Sequence, residues 1–316
     1  IDEATDRLRS IDARSRLRRY SHLKEILATN FEQLEKIAES PENVTGVPTG
    51  FTELDDITRG LQNGDLIIIA ARPGMGKTSF SLNIVMHAAL VHGLKVGFFS
   101  LEMAKEQLMM RMLSAKSKLN FGKIRTGFLS DSEFQKTVDA ADALQRANIY
   151  IDDTPALTSL DLRSRTRRIK SDKGIDLLIV DYLQLMRGNS RTDNREREIA
   201  EISLSLKALA KELQIPIIAI SQLSRQTEAR TDKKPQLSDL RESGALEQDA
   251  DMVIFLHRAD AYKRVADERD GLAEVIIGKQ RNGPTGTVSL AFLDTQGVPS
   301  FENLADEYTE SPTEQV

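Results

Sequence analysis

The residues with the clearest capacity for chemistry are Ala71-Arg72-Pro73-Gly74-Met75-Gly76-Lys77-Thr78, followed by Ser79. Gly74 and Gly76 let a backbone bend so that its N–H groups point inward at phosphate oxygens. Lys77 is spaced to reach the β/γ-phosphates of a nucleotide, and the Thr78 hydroxyl to hold Mg²⁺. The usual first glycine of G-x-x-x-x-G-K-[ST] is Ala71 here, where a small side chain is expected to fit. Four further sets of residues suit the same chemistry. Asp181 closes an apolar run and is a candidate to hold Mg²⁺ through a bound water, the alternative being a turn cap. Glu102, just past another apolar run, is a candidate to orient and deprotonate the attacking water, or else a glutamate that complements a helix start. Gln222 carries an amide able to sense a γ-phosphate, or one merely solvated on a loop. Lys279 and Arg281 flank Gln280, so a strand puts both cations on one face, wet or turned toward a neighbour's γ-phosphate.

These groups need a scaffold that brings distant stretches to one edge. The apolar runs Leu66–Ala70, Val96–Ser100, Ile149–Ile151, Leu177–Val180, Ile217–Ile220 and Met252–Leu256 do not alternate with polar residues. Helical spacing separates them, as in Ile199, Ile202, Leu206, Leu209 and Leu213. Buried strands divided by helices predict an α/β fold with a mostly parallel central sheet flanked by helices. Glu274–Ile277 and Thr287–Leu293 read as a closing antiparallel pair around Asn282–Gly286. Arg241, Glu242 and Gly244 fall in an expected loop whose arginine and small residues let a backbone approach phosphates, the alternative being a surface turn. Arg163, Arg165, Arg167, Arg168 and Lys170 read as the wet face of a helix, and Met103, Met109, Met110 and Met112 as core. Ahead of the sheet, Tyr20, Leu23, Leu27, Phe31, Leu34 and Ala38 recur at helical steps up to a break at Ser40-Pro41. The expected organisation is a helical region over 1–44, a nucleotide-binding domain over 45–305 and an acidic, disordered tail over 306–316.

Composition sets bounds on function. The chain has 316 residues, 40% hydrophobic and 29% charged, which describes a globular protein. No apolar run is long enough to span a bilayer, and no signal peptide is visible. A first residue other than Met leads us to expect a piece of a longer protein. Zero cysteines exclude disulfides and thiolate metal sites and fit a reducing compartment. A net charge of −5 means that any nucleic-acid contact must be a local basic patch.

Taken in order, the segments resemble the C-terminal ATPase region of DnaB-type replicative DNA helicases, a RecA-like P-loop NTPase fold. The resemblance runs from Gly46-Val47-Pro48-Thr49-Gly50-Phe51 to Asn303-Leu304. It rests on the phosphate loop with Ala71, which matches the family's own loop, and on Phe99-Ser100-Leu101-Glu102-Met103, Asp181-Tyr182-Leu183-Gln184-Leu185 and Ser221-Gln222-Leu223-Ser224-Arg225. Asp239-Leu240-Arg241-Glu242-Ser243-Gly244, Glu247-Gln248-Asp249-Ala250-Asp251 and Lys279-Gln280-Arg281-Asn282-Gly283-Pro284 complete the set. The resemblance implies a cytoplasmic homohexameric ring that burns ATP with Mg²⁺, moves 5′ to 3′ on single-stranded DNA and unwinds the fork, with primase and a helicase loader as partners and no membrane. It implies Glu102 as catalytic base, Asp181 as the Walker B carboxylate, Gln222 as γ-phosphate sensor and Arg111 as a nucleotide contact. Lys279 and Arg281 then act in trans, Arg241, Glu242 and Gly244 hold the DNA backbone, and the N-terminal helix is the linker that docks on the adjacent subunit. The family's N-terminal collar, which binds primase, has no counterpart in the sequence. A RecA/RadA-type recombination filament shares the fold and the loop, and a nucleotide-gated scaffold is a third reading. The Ser221–Arg225 and Arg241–Gly244 stretches favour the helicase.

Overall fold

The computed structural model describes residues 44–188, 194–224, 227, 228, 230, 232–262, 270–293 and 299–305, together with 22–24, 27 and 31; for 241–243 it describes the backbone only. The chain divides at Thr45/Gly46 into two units. In the first, Leu23, Leu27 and Phe31 are helical and exposed. The rest of the expected linker helix and the expected tail lie outside the described residues.

The second unit is built on a nine-stranded sheet: β1 (Leu66–Ala71), β2 (Val96–Ser100), β3 (Ile149–Asp152), β4 (Leu177–Asp181), β5 (Ile217–Gln222), β6 (Met252–His257), β7 (Leu272–Gln280), β8 (Gly286–Leu293) and β9 (Ser300–Asn303). Their spatial order is β3-β2-β4-β5-β1-β6-β7-β8-β9. The first six run parallel, and β6 to β9 pair antiparallel. The expected strands and hairpin are all present, and β9 is an addition.

Every residue of β1 is buried, as burial on both faces requires. Ile67, Ile69 and Ala71 enter one core with Phe80, Ile84, Val85 and Ala88 of α2 (Lys77–Leu90). Leu66, Ile68 and Ala70 enter the opposite core with Ile199, Ile202, Leu206 and Leu209 of α7 (Arg195–Leu213). Each Leu, Ile, Val or Phe among them contributes roughly 1.5–3 kcal/mol by leaving water, so β1 is fixed from both sides and its end is a firm base for a loop.

The other described helices are α1 (Thr52–Thr58), α3 (Lys105–Ser117), α4 (Phe121–Thr126), α5 (Asp131–Arg146), α6 (Ser159–Lys173) and α8 (Gly244–Asp249). Ser130 with Glu133 and Thr158 with Asp161 form capping boxes at the starts of α5 and α6. The α6 arginines do more than face water. Arg163 and Arg167 both pair with Glu212 of α7 at 2.7 and 2.5 Å, and Arg165 pairs with Asp152 of β3 at 2.7 Å. Of the methionines expected in the core, Met112 is buried but Met109 is exposed.

The stretch expected to be a loop at 241–245 is helical instead. A 3₁₀ helix over Leu237–Ser243 runs directly into α8. Its start is capped by the Gln236–Asp239 box, and Leu240 and Leu246 are buried, so apolar anchoring converts the segment to helix.

Candidate functional site

The phosphate loop sits where β1 hands over to α2. Gly76 is the N-cap of α2, at φ 92°, and no side chain caps the helix. The first turn of α2 carries no acidic residue either. Its unpaired N–H groups and the positive end of its dipole are therefore left for an outside anion. A Cβ on Gly76 would lie 2.9 Å from the Phe301 ring, on β9, and 3.1 Å from Phe292. Phe301 packs edge-on against Phe80 and Phe292, so that wall is rigid. Gly76→Ala is therefore expected to lower stability by about 1–3 kcal/mol and to weaken nucleotide binding; denaturant titration and equilibrium binding of a nucleotide measure both.

The loop's side chains divide. Pro73, Gly74, Gly76, Lys77, Thr78 and Ser79 line an open cleft of about 370 Å³. Ala71 and Met75 are buried in the core. Arg72 turns away, donating Nη1 to the Leu223 carbonyl at 2.8 Å and Nε to Glu228 Oε1 at 2.8 Å. Ala71, Arg72 and Met75 offer the cleft backbone only.

The strand order brings the remaining candidates to the same cleft. Ala71 pairs in register with Gln222, and Ser100 with Asp181. The carboxyl ends of β1, β5, β4 and β2 thus stand side by side, the position where open parallel sheets bind ligands. Asp181, Glu102, Gln222 and Arg111 all line the cleft. Asp181 Oδ2 accepts from Thr78 Oγ1 at 2.8 Å. The Leu101 N–H donates to the Asp181 carbonyl at 2.6 Å, and the Ser100 hydroxyl bridges to Met103 through its carbonyl at 2.6 Å and its N–H at 3.2 Å. That turn holds Glu102 exposed at the rim.

Electrostatics follow from this crowding. Burial pushes Asp181 up to about 6, opposed by the Thr78 hydrogen bond and reinforced by the Glu102 charge. Burial also pulls Lys77 below the ordinary lysine range, while Asp181 and Glu102 pull it back. Lys77 Nζ donates to the Ala71 and Arg72 carbonyls at 3.2 and 3.4 Å. A desolvated ammonium beside a desolvated carboxylate is an arrangement ready for an anion and a hard cation together. Among the described residues no cluster of three His, Cys, Asp or Glu could hold a metal alone. Thr78 and Asp181 supply oxygen ligands, so Mg²⁺ held partly by phosphate fits them better than a soft metal.

Lys279 and Arg281 do not line this cleft. Both reach the C-terminal end of α8. Lys279 Nζ donates to the Glu247 carbonyl and, at 3.4 Å, to that of Gln248. Arg281 Nη2 donates to the Gln248 carbonyl at 2.5 Å, and its Nη1 lies 3.5 Å from Asp251 Oδ1. Gly244 begins the same helix, and the side chains of Arg241 and Glu242 lie outside the described residues.

Residues 46–303 match the DnaB-like helicase C terminal domain family. The chain belongs to that family. It is 46% identical over 312 residues to the replicative DNA helicase DnaB of Geobacillus stearothermophilus, covering 98% of this chain and 68% of that protein. It is 46% identical to the replicative DNA helicase DnaC of Bacillus subtilis over 93% of this chain and 64% of that one. Against the DnaB of Buchnera aphidicola subsp. Schizaphis graminum, identity is 53% over 86% of this chain and 59% of the relative. The chain thus spans roughly three fifths to two thirds of these relatives. A solved ATPase domain superposes with a TM-score of 0.84 at 41% identity, covering 90% of this chain and all of that domain. A DnaB-like replicative helicase described with its interactions with primase gives 0.83 at 40%, covering 96% of this chain and 71% of that one. The DnaB-like fold and its ATP-hydrolysing character therefore hold for this chain. No described helix is long and apolar enough to cross a membrane.

Tyr182 and Pro299 also line the cleft, and neither they nor Arg258 are marked by a motif that assigns them a role. Arg258 is buried, stacks 3.3 Å from the Phe292 ring centroid and stands 3.5 Å from the Gly74 carbonyl. Its signal is a charge at the end of an apolar strand, as with Asp181, but without a loop motif to name it.

Proposed function

We propose that this chain is the motor portion of a ring-forming replicative helicase, which hydrolyses ATP with Mg²⁺ to move 5′ to 3′ along single-stranded DNA and unwind duplex. The observation that carries the reading is the Thr78–Asp181 contact at 2.8 Å beside Lys77, with Glu102 at the rim. Thr78 and Asp181 are the groups to hold Mg²⁺, which when bound neutralises charge on the β- and γ-phosphate oxygens. The α2 N–H groups and Lys77 grip the phosphates. Glu102 takes a proton from the attacking water, and Gln222 reads whether the γ-phosphate remains. Arg111 contacts the nucleotide from α3.

Lys279 and Arg281 act in the neighbour's cleft, and Arg241, Glu242 and Gly244 face the DNA backbone. The absence of both cations from their own cleft supports action in trans. Self-association is supported by exposed Leu23, Leu27 and Phe31 and by an apolar groove of about 440 Å³ lined by Met109, Met112, Leu113, Leu144, Ile149 and Ile151. Primase and a loader are expected partners, and the replication fork in the cytoplasm the place of work.

Mixed assemblies test the trans assignment. Lys77→Ala chains and Arg281→Ala chains are each expected to be inactive alone. Mixed, they recover hydrolysis at interfaces where an intact cleft meets an intact Arg281. No recovery at any ratio, with mixing shown by mass spectrometry, removes Arg281 from the neighbour's site.

A further inference from the structure

Gln184 has no part in the reaction set out above. It sits in the 3₁₀ turn Leu183–Leu185, just after Asp181, and its carboxamide turns toward β5. Its Nε2 donates to Ser221 Oγ at 2.9 Å and to the Gln222 carbonyl at 3.3 Å, while its Oε1 accepts from the Gln222 N–H at 3.3 Å. One side chain thus binds both backbone groups of Gln222. Paired residues of β4 and β5 end at Val180 and Ala219, so the carboxamide continues the pairing where the backbone stops. Gln184 is itself held, since Arg195 Nη2 at the start of α7 donates to its carbonyl at 2.8 Å.

The other side of β5 is tied to the phosphate loop. The Leu223 N–H donates to the Ala71 carbonyl at 3.2 Å, and Arg72 Nη1 to the Leu223 carbonyl. The next residue leads away from the cleft: the Ser224 N–H donates to the Asp239 carbonyl at 3.3 Å. Asp239 also pairs with Arg230, and stands two residues before Arg241.

We propose that Gln184 is a positioning residue for Gln222, joining the end of β4 that carries Asp181 to the end of β5 that carries Gln222. Through it the two strand ends move as one piece, and a shift on loss of the γ-phosphate passes by way of Ser224 and Asp239 toward the segment facing DNA. The proposal rests on the reading of Gln222 as the γ-phosphate sensor. It needs the carboxamide itself, because an apolar side chain of the same length fills the space without making any of the three bonds.

The test measures ATP hydrolysis by the full-length protein with and without oligo-dT, in Gln184→Met, Gln222→Ala and the double variant. Gln184→Met is expected to leave the KM for ATP within about twofold and to lower kcat with oligo-dT about tenfold, so that the stimulation by DNA largely disappears. The double variant is expected to be no worse than Gln222→Ala alone, which a merely structural defect would not produce. Stimulation retained in Gln184→Met but lost in Gln222→Ala overturns the proposal and leaves the sensor reading standing, as do losses that multiply in the double variant. Stimulation retained in Gln222→Ala overturns the sensor reading and the proposal with it. If Gln184→Met is not recovered folded, Gln184→Glu, which keeps the acceptor and loses the donor, is read by the same criteria.

Discussion

Lys77→Ala is expected to lower ATP turnover by about a thousandfold, with the fold intact. The ammonium lies in the cleft and donates to the Ala71 and Arg72 carbonyls. Those are long bonds to acceptors of the loop itself, which water satisfies when the side chain is gone. The melting temperature should therefore move by no more than a few degrees. Turnover depends on a preorganised cation where charge builds on the γ-phosphate, and removal of one such group typically costs two to three orders of magnitude. Steady-state hydrolysis beside a melting curve checks both halves. A variant that kept a tenth of its turnover would place the phosphate grip elsewhere.

Asp181→Asn is expected to separate stability from activity in opposite directions. The carboxyl is 2% exposed and burial raises it from 3.8 to about 6. Its contribution to stability is full below pH 4 and is lost as pH rises through about 6, because the fold must then hold a desolvated carboxylate that the unfolded chain leaves in water. Asparagine accepts from Thr78 in the same shape and never ionises. The variant should match the parent near pH 4 and exceed it above pH 7, by on the order of 2–3 kcal/mol. Hydrolysis should fall by at least a hundredfold, since the amide is a poor ligand for a hard cation. Chemical denaturation at pH 4 and pH 8 resolves the stability arm. A less stable variant at pH 8 would mean that the ionised form is the one the fold prefers.

Much of this was legible in the sequence, for identifiable reasons. Strands buried on both faces leave unbroken apolar runs, so β1, β2, β4, β5 and β6 announce themselves, and the residues that end them are the ones a parallel sheet gathers at one edge. What stayed hidden depends on partners far apart in the chain. Strand β9, Ser300-Phe301-Glu302-Asn303, has one large apolar residue and so no apolar run to mark it, yet its Phe301 fixes the wall behind Gly76. Arg72 lies inside the loop motif and still points away from the cleft, because Leu223 and Glu228 wait on the other side. The helical course of 237–249 was obscured by Ser243-Gly244, which reads as a break until Leu240 and Leu246 are seen anchored in the core.

The hold that Lys279 and Arg281 keep on the tail of α8 has a mechanical corollary. A helix end needs its last carbonyls satisfied, and two cations that do so are not free to swing outward without breaking those bonds, at roughly 0.5–1.5 kcal/mol for each one. Delivery to an adjoining molecule is therefore cheapest when strand, turn and helix travel together as a solid block. On the proposed action in trans, the gap between adjoining molecules, rather than the torsion angles of two long side chains, sets when these charges arrive.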